Sequence, residues 1–172
     1  MNYIAIKYND VANGPGVRIS LFVSGCTNHC KDCFNKETWD FNYGNKYDWN
    51  TEMDIIDNLL LPRYRGLTIL GGEPMEIQNQ QCVLSLIEHV KHIMPNKDVW
   101  IYTGFQYEDL QPGGKRYIDV VTNRILSLAD VLVDGKFETD LYDISLKFRG
   151  SSNQRIIDLK KSTPDNIVLL DI

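Results

Sequence analysis

Apolar positions along the chain alternate between short β-branched runs and stretches of helical spacing. Val17 to Ser24 reads Val-Arg-Ile-Ser-Leu-Phe-Val-Ser, a strand pattern that stops at Gly25. A helix is predicted over Glu52 to Leu60, with Thr51 as N-cap and Pro62 just past its end. Leu67 to Leu70 forms a short buried strand running into Gly71-Gly72. From Ile77 to Met94 the residues Val83, Leu86, Ile87, Val90, Ile93 and Met94 recur at helical spacing, and Pro95 closes the segment. Val99 to Thr103 is the next strand. Ile118, Val121, Ile125 and Leu128 then share one helical face. Val131 to Val133 is a further strand, and Arg155 to Leu159 and Ile167 to Leu170 complete the set.

Strands alternating with helices predict βαβ crossovers and an α/β fold with a mainly parallel sheet. No repeat, low-complexity tract or linker divides the chain, so residues 1–172 are expected to form a single domain. A complete eight-fold barrel takes about 250 residues. With 172, the chain can build an incomplete β/α barrel or an open twisted sheet. Ligands of such sheets bind beyond the carboxyl ends of the strands. Four strand ends carry unusual residues: Gly25-Cys26, Gly71-Gly72-Glu73-Pro74, Thr103-Gly104 and Asp134-Gly135-Lys136. The predicted topology brings all four to one mouth.

Composition narrows the function. Against 18 basic residues stand 23 acidic ones, and the net charge near -5 offers no field for nucleic acid. No apolar run approaches the roughly 18 to 20 residues that span a bilayer, and Tyr3-Ile4-Ala5-Ile6 is too short for a signal-peptide core. A soluble, cytoplasmic protein that engages neither nucleic acid nor membrane is expected. Of the four cysteines, three lie within eight residues, which favours metal or cluster ligation over disulfides.

Cys26, Cys30 and Cys33 form a C-x3-C-x2-C loop that offers three thiolates to one centre. Soft sulfur ligands suit zinc, Cu(I) or an iron-sulfur cluster, and a structural zinc site closes with a fourth protein ligand. His29 and the distant Cys82 are the candidates for that place. Spacing alone leaves zinc and cluster open. His89 and His92 are three apart on the long helix but lie off its apolar stripe, which marks a solvated face. Arg18 and Arg149 could serve a cofactor, a partner or an ion pair. Trp39 and Phe41 lie close enough in sequence to shield the cysteine loop.

Gly25-Cys26-Thr27-Asn28-His29-Cys30-Lys31-Asp32-Cys33, taken with Gly71-Gly72-Glu73-Pro74, resembles the motif pair of radical S-adenosylmethionine (SAM) enzymes. Asn13-Gly14-Pro15-Gly16-Val17-Arg18 looks like the segment before the cluster in glycyl-radical-enzyme activases. Val133 to Glu138 and Phe148 to Arg155 look like the activating proteins of anaerobic (class III) ribonucleotide reductase. The resemblance implies an incomplete barrel of the radical SAM type and a [4Fe-4S] cluster on Cys26, Cys30 and Cys33. It also implies SAM as cofactor, cleaved reductively to a 5'-deoxyadenosyl radical that makes a glycyl radical on a partner. That partner is the large subunit of the reductase, and the electron donor is a carrier such as reduced flavodoxin. An oxidoreductase of this kind leaves the hard chemistry to the cluster and SAM.

Several residues are implied as SAM contacts. Gly71 and Gly72 remove two Cβ atoms where backbone meets the methionine, so Gly72→Val is expected to weaken SAM binding more than it destabilises the fold. Glu73 supports the ammonium or begins the next helix, Thr103 bonds the cofactor or caps a turn, and Lys136 meets the carboxylate. Many radical SAM proteins place an aromatic residue directly before the third cysteine. Here Asp32 holds that place and Phe34 follows Cys33, so Asp32, Cys33 and Phe34 are the candidates on the adenine side. Competing readings are an activase of another glycyl-radical enzyme, such as pyruvate formate-lyase, and a non-catalytic zinc-stabilised interaction module.

Overall fold

A computed structural model describes all 172 residues. Seven strands and three helices follow the order β1 (Asn2–Asp10), β2 (Arg18–Val23), β3 (Asn45–Lys46), α1 (Trp49–Leu59), β4 (Gly66–Gly71), α2 (Ile77–Ile93), β5 (Asp98–Tyr102), α3 (Val121–Leu128), β6 (Val131–Asp134) and β7 (Arg155–Asp158). All seven strands join one sheet in the order β3-β1-β2-β4-β5-β6-β7. Its centre is parallel, through β2/β4, β4/β5 and β5/β6. Both flanks are antiparallel, with β3/β1 and β1/β2 on one side and β6/β7 on the other. The sheet is therefore mixed rather than mainly parallel. The edge strands β3 and β7 do not pair with each other, so it stays open.

Successive crossovers run in one direction across the parallel centre. A right-handed crossover repeated without reversal places every helix on the same face. Accordingly Ile55, Ile56 and Leu59 of α1, Val83, Leu86, Ile87 and Val90 of α2, and Ile125 of α3 share one core with Ile19, Leu21, Leu67, Ile69, Val99, Ile101 and Leu132 of the strands. The alternate strand residues Trp100, Val131, Val133 and Ile156 form a smaller cluster, joined by Phe148 and Leu170. Period-two alternation thus divides each central strand between two apolar environments.

Several local expectations change. The cap of α1 is Asp48, whose carboxylate accepts from Thr51 N at 2.9 Å and from its hydroxyl at 3.0 Å. Thr51 sits three residues inside, where its own N–H needs the cap. Helix α3 starts at Val121, after Ile118. Ile167 to Leu170 is extended but forms only the bridge Ile157↔Leu169. Strand β1 carries no clear periodicity because a flanking strand tolerates polar residues such as Lys7 and Asn9 among its apolar ones.

Arg18 is wholly buried at the start of β2. Its guanidinium donates to Asp98 Oδ1 at 2.6 Å, Thr68 Oγ1 at 2.7 Å and the Leu67 carbonyl at 2.8 Å. These partners stand near the amino ends of the parallel strands, the end opposite the predicted mouth. Arg18 is a fold residue and takes the ion-pair role.

Candidate functional site

At the carboxyl end of the parallel strands the backbone segments lock together. Gly25 N donates to the Thr38 carbonyl at 2.8 Å and Cys26 N to the Trp39 carbonyl at 3.3 Å. Gly72 N reaches the Val23 carbonyl at 2.7 Å, Glu73 N the Gly25 carbonyl at 2.9 Å, and Thr103 N the Val133 carbonyl at 2.9 Å. Gly25 has φ +91° and packs directly under the Phe41 ring, leaving no room for a Cβ. These ties surround an open crevice of about 350 Å³. Its wall includes Cys26, Cys30, Cys33, Gly71, Gly72, Glu73, Thr103, Gly104 and Gly135. The four strand ends singled out in the sequence do meet at one mouth.

Cys26 is buried, and Cys30 and Cys33 are partly buried; all four cysteines are free. Burial pushes the Cys26 thiol up to about 11, helped by the nearby carboxylates of Glu73 and Glu76. Burial also raises Cys30, opposed by the Lys136 ammonium. Metal ions displace such protons, so loading the loop releases protons and brings in the positive charge that the thiolates need.

Neither proposed fourth ligand reaches the site. Cys82 packs against the helical core, and the His29 ring lies on Trp39 with centroids 4.4 Å apart. No three His, Cys, Asp or Glu side chains converge on a point that one ion could occupy. A structural zinc site closes with a fourth protein ligand, whereas an iron-sulfur cube leaves one iron open when only three thiolates are supplied. The Trp39 ring borders the crevice, and its indole Nε1 is sealed from solvent without an acceptor. A soft set of three thiols bordering one crevice fits an iron-sulfur cluster.

Glu73 neither begins a helix nor faces the crevice as a free charge. It is fully buried, and its carboxylate accepts from Gly104 N at 2.7 Å, Asn28 Nδ2 at 2.9 Å and Met75 N at 2.9 Å. Burial nonetheless lifts it to about 7, against the lowering effect of the Met75, Thr103 and Gly104 donors. An unfolded glutamate titrates near 4.5, so the folded state binds this proton more tightly. Its stabilising contribution is complete below about pH 4.5 and is lost as pH rises through about 7. Denaturant titration of the metal-free protein is therefore expected to show about 3 kcal/mol less stability at pH 8 than at pH 4.5 from this group alone. The slope between pH 5 and 7.5 should flatten in Glu73→Gln; an unchanged slope would remove the assignment.

Gly72 corrects an expectation. A Cβ there would stand 2.9 Å from the Gly25 carbonyl oxygen and 3.1 Å from those of Thr38 and Val23. It would strike backbone of this protein, not ligand space. Gly72→Val is expected to cost about 1–3 kcal/mol of stability in the metal-free protein, read as a fall in melting temperature. A loss of SAM affinity with unchanged melting would restore the ligand-contact reading.

The remaining residues are placed as follows. Thr103 is buried and caps the next turn, its hydroxyl accepting from Phe105 N at 3.1 Å. Lys136 borders an adjoining cavity of about 300 Å³ with Asn28, His29 and Cys30, and its ammonium donates to the Asn28 carbonyl at 3.1 Å. Phe34 borders the crevice and is 87% exposed. Asp32 does not border it; with φ +60° its carboxylate instead accepts from the Thr139 hydroxyl at 3.1 Å. Trp39 packs on His29 of the cysteine loop, and Phe41 packs on Gly25 just before it. His89 is paired with the buried Glu52 rather than freely solvated.

Two contributors escaped the sequence reading. Asn28 links the cysteine loop to Glu73, and its only sequence signal is its place inside that loop. Gln154 accepts from Gly150 N at 2.9 Å and donates to the Gly135 carbonyl at 3.0 Å. Asn153 donates to the Lys136 carbonyl at 2.8 Å, and Arg149 to the Gln154 carbonyl at 2.7 Å. The Arg149 to Gln154 block thus buttresses the loop that carries Lys136.

An open α/β sheet with a three-thiol loop at its carboxyl end defines an iron-sulfur protein, and residues 12–157 match the family described as a 4Fe-4S single cluster domain. Three similar proteins carry one name, anaerobic ribonucleoside-triphosphate reductase-activating protein. The protein from Pasteurella multocida (strain Pm70) is 42% identical over 91% of this chain and 96% of its own length. That from Escherichia coli (strain K12) is 39% identical over 93% and 100%, and that of Enterobacteria phage T4 is 37% identical over 91% and 93%. The chain belongs to the family of anaerobic ribonucleoside-triphosphate reductase-activating proteins.

Proposed function

We propose that this protein activates an anaerobic ribonucleoside-triphosphate reductase by reductive cleavage of SAM at a [4Fe-4S] cluster held by Cys26, Cys30 and Cys33. The reading rests chiefly on one observation: the three thiols and the glycine-rich end of β4 border a single crevice in a chain of this family. When bound, the cluster and SAM supply a one-electron cleavage whose 5'-deoxyadenosyl radical takes the Cα hydrogen of a glycine in the reductase. The protein binds, orients and excludes water. In this reading all 172 residues act as one domain of the radical SAM type, an incomplete barrel completed by its partner.

Lys136 is assigned to the SAM carboxylate, which its flexible ammonium reaches by exchanging the Asn28 carbonyl for a full negative charge. Glu73 supports the SAM ammonium indirectly, by holding Asn28 and Gly104 in place. Thr103 and Gly71-Gly72 form the wall along the methionine, and Phe34 offers its exposed ring to the adenine. The open sheet leaves the crevice uncovered, so a docked reductase segment is needed to exclude solvent during turnover. Reduced flavodoxin is the proposed electron donor and the cytoplasm the proposed compartment. No helix is long and apolar enough to cross a membrane.

The test combines anaerobically reconstituted protein, SAM, a reductant and the reductase. SAM cleavage should be slow or wasteful alone. With the reductase it should couple to a stable glycyl radical, seen as a doublet in electron paramagnetic resonance and lost when the acceptor glycine becomes alanine. A radical formed on a free small molecule without the reductase would overturn the reading.

A further inference from the structure

A second buried carboxylate, that of Glu76, is aimed at the cysteine loop. Glu76 directly precedes α2, yet its side chain does not cap that helix and turns instead to the residue after the first cysteine. Its Oε1 accepts from Thr27 N at 2.8 Å and from the Thr27 hydroxyl at 2.6 Å. Arg116 completes the group. Its guanidinium donates to the same hydroxyl oxygen at 2.7 Å, lies 3.7 Å from Glu76 Oε2, and sits over the Phe105 ring, 4.4 Å from the centroid. The pair is largely shut off from solvent, with the two side chains 2% and 23% exposed. Because Thr27 is bonded to Cys26, ordinary bond lengths bring this carboxylate to within about 9 Å of the Cys26 sulfur.

Hydrogen bonding alone does not call for a charge here. A glutamine would offer Thr27 the same kind of acceptor, whereas a carboxylate works against the thiolates gathered beside it and helps to hold the Cys26 thiol up. Burying such a charge is costly unless it is paired, and Arg116 is the cation paired with it. We propose that the Glu76–Arg116 pair tunes the reduction potential of the cluster, the carboxylate lowering it and the guanidinium opposing that effect. The inference rests on the cluster assignment above. One electron from an external donor makes the cluster more negative by one charge, so a nearby anion disfavours the reduced state and a nearby cation favours it. Away from solvent these fields are weakly screened. Glu76 and Arg116 are thus positioning residues, acting on the cluster by charge and through Thr27.

The experiment is a redox titration of reconstituted wild-type, Glu76→Gln, Arg116→Gln and Arg124→Gln proteins, followed by electron paramagnetic resonance of the reduced cluster. Arg124 pairs with Glu88 at 3.0 Å between two exposed side chains of the helical layer, so its loss controls for a change in net charge alone. Glu76→Gln should shift the potential to more positive values and Arg116→Gln to more negative ones, while Arg124→Gln stays at the wild-type value. Opposite signs are what a merely structural role does not produce. A shift of both variants in one direction overturns the inference, as does an unchanged potential in either, or an equal shift in Arg124→Gln. Should one variant fail to load, the sign of the other decides. Failure of both to take up iron and sulfide, beside a loaded wild type, overturns the inference and marks the pair as an anchor of the loop only. Failure of wild-type protein to load overturns the cluster assignment together with this inference.

Discussion

Cys30→Ala protein, reconstituted anaerobically beside wild type, is expected to retain little or no iron and sulfide and to release no 5'-deoxyadenosine from SAM. The structure offers no substitute ligand. His29 is stacked on Trp39, the Asp32 carboxylate is held by the Thr139 hydroxyl, and Cys82 packs against the helical core. Two thiolates hold only two corners of a cube whose stability depends on cysteine ligation. The Cys26 thiol is also raised by burial, so without the charge of the irons it returns to the protonated form. Cys26→Ala and Cys33→Ala should behave alike, and Cys82→Ala should keep both cluster and cleavage. Cleavage at the wild-type rate by Cys30→Ala would remove the ligand assignment.

The second large effect lies at the opposite end of the sheet and concerns folding. Asp98→Ala is expected to destabilise the metal-free protein by about 3–5 kcal/mol, the cost of leaving a buried guanidinium without its counter-ion. Arg18 is completely buried. Burial pushes its pKa down, and Asp98 is the group that opposes this. Arg65 shares the same carboxylate at 3.1 Å from an exposed position and gives no compensation inside. Such a loss is a large part of the 5–15 kcal/mol typical of a folded domain. Asp98→Asn keeps an acceptor and should lose less. Denaturant unfolding measures both, and a change under about 1 kcal/mol in Asp98→Ala would show that the pair is not needed. SAM cleavage per folded, loaded molecule should be unaffected, because the pair lies at the amino ends of the strands.

What the sequence determined by itself was local. Cysteine spacing is a property of eight consecutive residues, and the helices declared themselves through apolar positions three and four apart. The central strands were legible because burial on both faces demands continuous apolar runs. Their alternation with helices implied parallel pairing, and parallel pairing sends the strand ends with Cys26, Gly72, Thr103 and Gly135 to one side. The position of the site therefore followed from short-range pattern and one topological rule, while its chemistry was implied only by resemblance to a known family.

Tertiary structure decided what depends on partners far apart in the chain. Strands β1 and β7 are antiparallel flanks, and nothing local in Asn2–Asp10 announces that it pairs with Arg18–Val23. Arg18 is a core ion-pair member because Asp98, eighty residues on, is its neighbour. Gly72 is a packing glycine because the carbonyls of Val23, Gly25 and Thr38 crowd it. Glu73 is tied by Asn28 and Gly104, and Trp39 is left with an unanswered donor. Periodicity reports which face of an element is buried. Which groups meet there, and which polar atom stays unpaired, is set by long-range register and packing that no window of sequence contains.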